Sequence, residues 1–227
     1  MIITNFAEAS QAYRNTYKDS PFFETWIPEA KFLSANFDDS GNISIAREDD
    51  GIYGIAIGTS PSVPDNWKNF SIETRGISQL PSLYKPVAEW DCYWSPTLAG
   101  DFAETFQSSD LAISTFLKEH APDSSVFPGD SEILSWVELH HDNQLAAIAA
   151  LCRWESGRVV ISSVATAKQW RGQGLGKQLM QKCLITAAQL GEDYVSLGVR
   201  HGNESAQRLY RATGFRLMHN FTYCERR

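Results

Sequence analysis

The sequence lacks the features that mark membrane proteins, secreted proteins and general nucleic-acid binders. No stretch approaches the roughly 20 consecutive apolar residues that are needed to span a bilayer. Residues 1–6 contain neither a basic segment nor the beginning of a long apolar run, so we expect no signal peptide. Basic residues form no long cluster, and the formal net charge is −7. Because nucleic-acid binding depends on concentrated positive charge, we expect neither a nucleic-acid partner nor a membrane partner.

Cysteine is also scarce, and Cys92, Cys152, Cys183 and Cys224 are widely separated without a C-x-x-C pair. We therefore expect reduced thiols and a cytoplasmic location. The histidines are not spaced with cysteines or carboxylates as metal ligands are, so no metal is expected. Internal repeats are absent, and 227 residues suffice for one large domain or two small ones.

The most informative segment runs from residue 158 to residue 215. Residues 159–161 and 164 are apolar and β-branched, which predicts a strand over residues 159–164. The glycine-rich segment 171–177 follows, and residues 195–199 then alternate as a second strand. Between them, apolar residues recur with the helical period at Leu175, Leu179, Cys183, Ala187 and Leu190, whereas the residues off that stripe are Gln173, Lys177, Gln178, Gln181 and Lys182. A strand, a glycine turn and a helix N-terminus together predict an anion site.

Two common nucleotide loops do not fit this segment. A P-loop would need glycine at Arg171 and Ser or Thr at Gln178. A dinucleotide fingerprint that begins at Gly172 would need its third glycine at Lys177. Glu192 precedes the second strand, whereas a ribose-binding acid belongs at the end of that strand. Both alternatives fail at residues that their chemistry requires.

A third pattern, Arg-x-x-Gly-x-Gly, is met by Arg171, Gly174 and Gly176. Residues 164–166 precede it, and residues 203–215 follow it with the pattern Asn-x-x-Ala-x-x-Leu-Tyr-x-x-x-Gly-Phe. Together these segments resemble the GNAT-type N-acetyltransferase superfamily. The resemblance covers roughly residues 133–215, with a looser extension over about residues 97–224.

The resemblance implies an α/β fold with a mixed sheet, in which an antiparallel meander leads into a parallel β-α-β cofactor unit. Residues 133–141 and 145–154 fit the hairpin of the meander, and residues 217–224 predict a final strand. We expect a GNAT domain over residues 96–227. Residues 101–120 predict one or two helices with Asp110 as a possible N-cap.

Residues 1–95 are predicted to form a separate α+β region. The first 40 residues are aromatic-rich and predict short helices that are broken at Pro21 and Pro28. Residues 43–57 predict a hairpin, and residues 87–94 predict a strand. Because the first hairpin parallels the one at residues 133–154, one hypothesis is that this region is a degenerate copy of the same fold.

The resemblance also implies acetyl transfer from acetyl-CoA, by direct attack, to the primary amine of a small molecule or peptide. The main-chain N–H groups of residues 172–177 would hold the pyrophosphate, and main-chain groups at residues 164–166 would contact the pantetheine arm. Asn203 would cap the following helix or bind that arm. The implied cofactor-binding residues are Val164, Ala165, Thr166, Arg171, Gly172, Gln173, Gly174, Leu175, Gly176, Lys177, Asn203, Ala206 and Tyr210.

Tyr210 is the candidate acid for the departing thiolate. Glu138 is the first candidate base, because a carboxylate in the middle of an otherwise apolar hairpin is uncommon. His140, His141, Glu155 and water are weaker alternatives for that function. By resemblance, the acceptor would lie near His120, Asp123 and Asp130.

The sequence leaves two other functions open. The chain could bind acyl-CoA without turnover as a sensor or scaffold module, because its cofactor pattern is stronger than its acceptor pattern. Acetylation directed at a nucleic acid is disfavoured by the acidic charge balance. We expect a monomer or a homodimer.

Overall fold

The computed structural model describes residues 1–18, 20–102 and 107–227 and divides the chain into two compact units. The first unit comprises Met1–Cys92, Val199–Asn203 and Leu217–Arg227, and the second comprises Tyr93–Gly198 and Glu204–Arg216. In chain order, the strands and α-helices are β1 (Ile2–Ile3), α1 (Phe6–Thr16), α2 (Phe22–Trp26), β2 (Phe32–Phe37), β3 (Ile43–Glu48), β4 (Ile52–Ile57), β5 (Asn69–Glu73), β6 (Tyr84–Pro96), α3 (Asp110–His120), β7 (Ile133–His141), β8 (Gln144–Arg153), β9 (Val159–Thr166), α4 (Leu175–Gln189), β10 (Tyr194–Arg200), α5 (Glu204–Ala212) and β11 (Arg216–Arg226).

The first unit contains a sheet in the order β1-β2-β3-β4-β5-β11-β6. Strands β4 and β5 pair in parallel, whereas β1–β2, β2–β3, β3–β4 and β5–β11 are antiparallel. The predicted hairpin at residues 43–57 is confirmed, and its turn places Asp50 and Gly51 at positive φ. Strands β2 and β5 were not predicted, because the alternation of apolar and polar residues is obscured in both. In β2 the aromatic residues of the core obscure it, and β5 directly follows a Pro- and Ser-rich loop.

The aromatic residues of α1 and α2 form the core of the first unit. Tyr13, Phe22 and Phe23 are buried and pack in one cluster with Ile43 and Ile45. The helix breaks that Pro21 and Pro28 predict are confirmed, since α2 lies between these prolines. The high aromatic content of the N-terminal region is therefore explained by packing.

A buried polar network crosses this aromatic core. The imidazole of His219 lies 2.7 Å from the Tyr13 hydroxyl through Nε2 and 2.7 Å from a carboxylate oxygen of Glu73 through Nδ1. The other Glu73 oxygen accepts hydrogen bonds of 2.7 Å from the Gly58 N–H and from Arg75 Nε. Burial would raise the pKa of Glu73, but His219, Arg75 and the Gly58 N–H outweigh it and the pKa is lowered.

The second unit holds the predicted meander and cofactor unit. Its strand order is β6-β10-β9-β8-β7, in which β7–β8 and β8–β9 are antiparallel and β9–β10 are parallel. Helix α4 connects the parallel pair and packs against β7, β8 and β9. The mixed α/β fold, the second hairpin, the long helix and the final strand are thus confirmed.

The start of α3 differs from the prediction. Ser109, not Asp110, is the N-cap, and its hydroxyl accepts a hydrogen bond of 3.3 Å from the Ala112 N–H. The predicted helical segment also included residues 103–106, with Phe106 among them, which lie outside the described residues. The four cysteines are free and buried. Within residues 1–18, 20–102 and 107–227, no helix is long and apolar enough to cross a membrane.

We predict that Glu73→Gln lowers the unfolding free energy at pH 7 by about 2–4 kcal/mol, because Arg75, His219 and the Gly58 N–H lose the buried carboxylate with which they hydrogen-bond. Since the folded-state pKa of Glu73 is lowered, its stabilisation is present above the unfolded value near 4.5 and is lost as pH falls through the folded value. The variant should therefore show a shallower loss of stability in acid. Urea unfolding over a pH series measures both effects.

The matched control for this experiment is Glu48→Gln, because Glu48 is exposed on β3 of the same unit. The contribution of the network to stability would be contradicted if the two variants lost equal unfolding free energy. It would also be contradicted if the unfolding free energies of Glu73→Gln and the unsubstituted protein fell equally as the pH is lowered.

Candidate active site

Strand β9 is irregular just before its carboxyl end. Ser163 has φ +51°, and the pairing of β8 with β9 shifts between Ile148 and Ala150. The Ser163 hydroxyl donates to the Val126 carbonyl at 2.9 Å and accepts from the Val126 N–H at 3.1 Å. Across the described chain, parallel pairing of β9 with β10 is confined to Val160 opposite Ser196. Beyond that point, β9 and β10 therefore do not pair with each other toward their carboxyl ends.

The loop after β9 owes its shape to glycine at two positions. Gly172 has φ +79°, and Gly174, the N-cap of α4, has φ +84°. A Cβ at either position would meet no atom within 4 Å. The backbone conformation, not crowding, requires glycine here, and the space beside the loop admits a ligand.

Gly176 serves a different purpose, since a Cβ there would lie 3.1 Å from Leu209 Cδ2. This glycine lets α4 approach α5 closely. Of the three glycines in segment 171–177, two shape the turn and one allows helix packing.

The start of α4 presents main-chain donors. The first backbone hydrogen bond of the helix runs from the Gln178 N–H to the Gly174 carbonyl at 3.2 Å. The N–H groups of Leu175, Gly176 and Lys177 consequently have no acceptor within the helix. Gly174 also offers no side chain to cap them. Unpaired donors at the positive end of a helix dipole form an anion site.

Arg171 holds the loop in place. Its Nε donates to the Thr166 carbonyl at 3.0 Å, and a terminal nitrogen donates to the His120 carbonyl at 2.9 Å. The guanidinium thereby connects the end of β9 to the end of α3. The Thr166 carbonyl, one of the main-chain groups predicted to contact a cofactor, is already bonded to this side chain.

Tyr210 lies near the end of α5 and is 5% exposed. Its ring centroid is 5.9 Å from those of both Tyr93 and Phe215. Burial raises the pKa of Tyr210, and the neighbouring Cys183 and Tyr93 raise it further. Within the part of the chain that the structure describes, its hydroxyl has no hydrogen-bond partner. The phenol is therefore protonated at neutral pH, and its hydroxyl is available to donate a hydrogen bond.

Glu138 is on the edge strand β7, opposite Ile148, which in turn is opposite Ala165 of β9. It is thus level with the end of β9 but two strands away, about 10 Å at the usual strand spacing. Its buried carboxylate accepts hydrogen bonds from the Ser108 hydroxyl at 2.6 Å and from the Ser108 N–H at 3.1 and 3.2 Å. The structure does not bring Glu138 together with Tyr210, and its assignment as the base stays a prediction.

Lys182 is buried, which the apolar stripe of α4 did not predict. Although it lies off the apolar stripe of α4, it is 8% exposed, and its ammonium donates to the Glu138 carbonyl at 3.0 Å. Burial lowers the pKa of Lys182. At the other end of the stripe, Leu190 is 42% exposed. The buried surface of α4 is therefore shifted toward β7.

Other predicted site residues form hydrogen bonds with residues close to them in sequence. The Asp130 carboxylate accepts from the Phe127 N–H at 2.8 Å, which closes its own turn. Gln173 donates to the Gln169 carbonyl at 3.3 Å. Asn203 belongs to the first unit, where its N–H donates to the Arg200 carbonyl at 3.2 Å, so its predicted role stays a prediction. No group of three potential metal ligands is found among the described side chains.

The sequence did not point to Ser108 or Ser163. A serine beside a helix N-cap and a serine within an apolar strand are both compatible with ordinary solvent exposure, so their importance is visible only in three dimensions. A strand, a glycine turn with unpaired amides and a buried tyrosine on the next helix form the candidate site, a β-α-β unit on a mixed sheet whose free donors suit an anion.

Comparison with known proteins agrees with this geometry. The sequence model of the Acetyltransferase (GNAT) family matches residues 89–215, more than half of the chain. The chain belongs to the GNAT acetyltransferase family.

A 77-residue segment is 38% identical to an uncharacterised N-acetyltransferase of Mycobacterium tuberculosis, covering 34% of this chain and 49% of that protein. The match thus spans about half the length of the curated relatives. Among solved structures, a GCN5-related N-acetyltransferase from Sphaerobacter thermophilus has a TM-score of 0.56 at 15% identity, covering 98% of this chain and 92% of that one. A GNAT-family acetyltransferase from Colwellia psychrerythraea has a TM-score of 0.54 at 13% identity over the full length of both chains. At these identities the structures establish the fold.

We predict that Arg171→Lys lowers the unfolding free energy by about 1 kcal/mol, because one ammonium group does not reproduce the planar fork that spans two carbonyls. Chemical denaturation measures the loss. The control is Arg208→Lys, since Arg208 is an exposed residue that pairs with Glu204 one turn away. Equal losses in both variants would show that Arg171 does not hold the loop.

Proposed function

We propose that this protein is an N-acetyltransferase that uses acetyl-CoA and acetylates the primary amine of a small molecule or peptide. The proposal rests on the N–H groups at the start of α4, which have no acceptor within the helix. Gly172 and Gly174, which adopt positive φ, shape the adjoining loop. Family membership supports acetyl transfer in general, and the donor and acceptor are the proposed part.

The loop suits the pyrophosphate of coenzyme A in both space and charge. A Cβ at Gly172 or Gly174 would meet no atom within 4 Å, so the backbone is accessible on that side. The amides of Leu175, Gly176 and Lys177 supply donors that the helix itself does not use. Lys177 is also exposed and adds a positive charge in the first turn. We propose that residues 172–177 hold the diphosphate.

Acetyl-CoA would supply an acetyl group activated as a thioester. Backbone groups of residues 164–166 are proposed to orient the pantetheine arm, with Val164 at the register shift of β9. Arg171 keeps the Thr166 carbonyl and the loop in fixed positions. Tyr210, whose raised pKa keeps it protonated, is proposed to donate its hydroxyl hydrogen bond toward the thiolate.

The contacts of Glu138 favour a positioning function. Its carboxylate holds Ser108, the residue before the N-cap of α3, and it lies two strands from β9. We therefore propose water as the group that takes the proton from the amine. A binding module without catalysis would share the loop and would be identified by tight binding without turnover.

We predict that Gly174→Ala raises the dissociation constant for acetyl-CoA at least tenfold, because a side chain at positive φ strains the loop by roughly 1–2 kcal/mol and redirects its amides. Calorimetric titration measures the constant. The matched control is Gly157→Ala, since Gly157 has φ +82° and equally free space but lies in the turn before β9.

Comparable affinity losses in these two glycine variants would mean that the effect is one of general stability and would remove the loop from the binding site. Release of free thiol from acetyl-CoA, followed over a panel of amines, amino acids and peptides, tests turnover itself. Tight binding without thiol release from any acceptor would favour the binding module over the enzyme.

We predict that Tyr210→Phe lowers kcat several-fold or more while the dissociation constant for acetyl-CoA is retained, because only the hydroxyl is lost and the ring packing remains. Steady-state thiol release and calorimetry provide the two readouts. Tyr53→Phe is the control, since Tyr53 is a tyrosine of the first unit whose hydroxyl bonds to Ser71 at 2.7 Å. An unchanged kcat for Tyr210→Phe would reject the acid function.

A further inference from the structure

The first unit contains a cavity of about 650 Å³ that the acetyl-transfer proposal does not use. One part of its lining is apolar and consists of Pro86, Val87 and Ala88 of β6. The remainder is polar and is formed by Glu89, Arg200, His201 and Thr222. An apolar wall combined with a few polar groups is the usual composition of a small-molecule site.

The charged residues of this cavity are available to a ligand. Glu89 and Arg200 are both exposed, and neither side chain forms a hydrogen bond or ion pair with any other described residue. They line the same cavity without pairing with each other. A guanidinium binds carboxylates through two parallel hydrogen bonds, and a carboxylate binds ammonium groups. The cavity therefore offers partners for both charges of one molecule.

Thr222 adds an independent indication of a ligand. The residue is 2% exposed, and its hydroxyl oxygen has no hydrogen-bond partner anywhere in the described part of the chain. A buried hydroxyl without a partner is costly and uncommon in native proteins. Because Thr222 lines the cavity, a ligand that enters it can supply the missing hydrogen bond.

His201 is oriented by its neighbour on β6. Its Nδ1 lies 3.2 Å from a carboxylate oxygen of Asp91, which is 1% exposed and also accepts from Asn220 at 2.6 Å. In the tautomer that donates its Nδ1–H to Asp91, Nε2 is an acceptor. His201 is half exposed and lines the cavity, so this acceptor is accessible.

We propose that this cavity binds a small zwitterion, a molecule such as a free α-amino acid that carries both an ammonium and a carboxylate group. Arg200 and the Thr222 hydroxyl bind the carboxylate, and Glu89 and His201 Nε2 accept hydrogen bonds from the ammonium. Pro86, Val87 and Ala88 contact the apolar side chain of the ligand. The binding itself does not depend on the proposed acetyl transfer.

The experiment begins with the common α-amino acids, each titrated by ligand-observed NMR against the full-length protein. For the best binder, calorimetry compares the free amino acid with its N-acetyl form and with its C-terminal amide. We expect both blocked forms to bind at least about tenfold more weakly, because each lacks one of the two charges. Equal binding of a blocked form, or no binding by any amino acid, would overturn the proposal.

Thr222→Val provides a test that separates binding from folding. Because the hydroxyl has no partner within the protein, its replacement by a methyl group should leave the melting temperature unchanged or raise it, while amino-acid affinity falls about tenfold. Arg200→Gln should weaken binding similarly, whereas the control Arg208→Gln should not. Unchanged affinity in both Thr222→Val and Arg200→Gln would reject the site.

The same protein samples are titrated with acetyl-CoA. If the protein binds acetyl-CoA but no amino acid, only the zwitterion site is rejected. If it binds an amino acid but not acetyl-CoA, only the proposed transferase is rejected.

Discussion

The candidate site depends on the peptide N–H groups at the start of α4, which have no acceptor inside the helix. Any helix leaves such donors at its first turn, and most helices satisfy them with a Ser, Thr, Asp or Asn cap. Here the cap position is Gly174, which provides no side-chain acceptor. The donors therefore require water or an anionic ligand, and the helix dipole favours the anion.

The surrounding structure keeps this helix start accessible and fixed. Gly172 and Gly174 adopt positive φ without approaching other atoms, whereas Gly176 allows α5 to pack against α4 beside Leu209. Arg171 ties the loop to the carbonyls of Thr166 and His120. Ser163 holds the irregular part of β9 against residue 126. Each contact fixes a backbone segment of the second unit, so the order of the site rests on main-chain geometry more than on reactive side chains.

The fold of the second unit could be predicted because its signals are local. The glycine pattern, the helical period after Leu175 and the alternation at residues 195–199 each depend on neighbours in sequence. Lys182 could not be placed, because its burial depends on a carbonyl of β7 that is distant in sequence. The contacts of Glu138 with Ser108 and the isolated hydroxyl of Thr222 are likewise products of tertiary packing. Sequence patterns thus predicted the strand, the glycine turn and the helix of the candidate site, whereas the tertiary contacts of its polar side chains could not be predicted.

Binding of coenzyme A at the start of α4 can be tested by following the backbone amide resonances of the protein by NMR during titration with coenzyme A. We expect the largest shifts at Gly172 through Lys177, in the direction of stronger hydrogen bonding, because these amides gain phosphate oxygens as acceptors. A titration that saturates without shifts at these residues, or that perturbs only residues of the first unit, would contradict the assignment of the helix start as the coenzyme site.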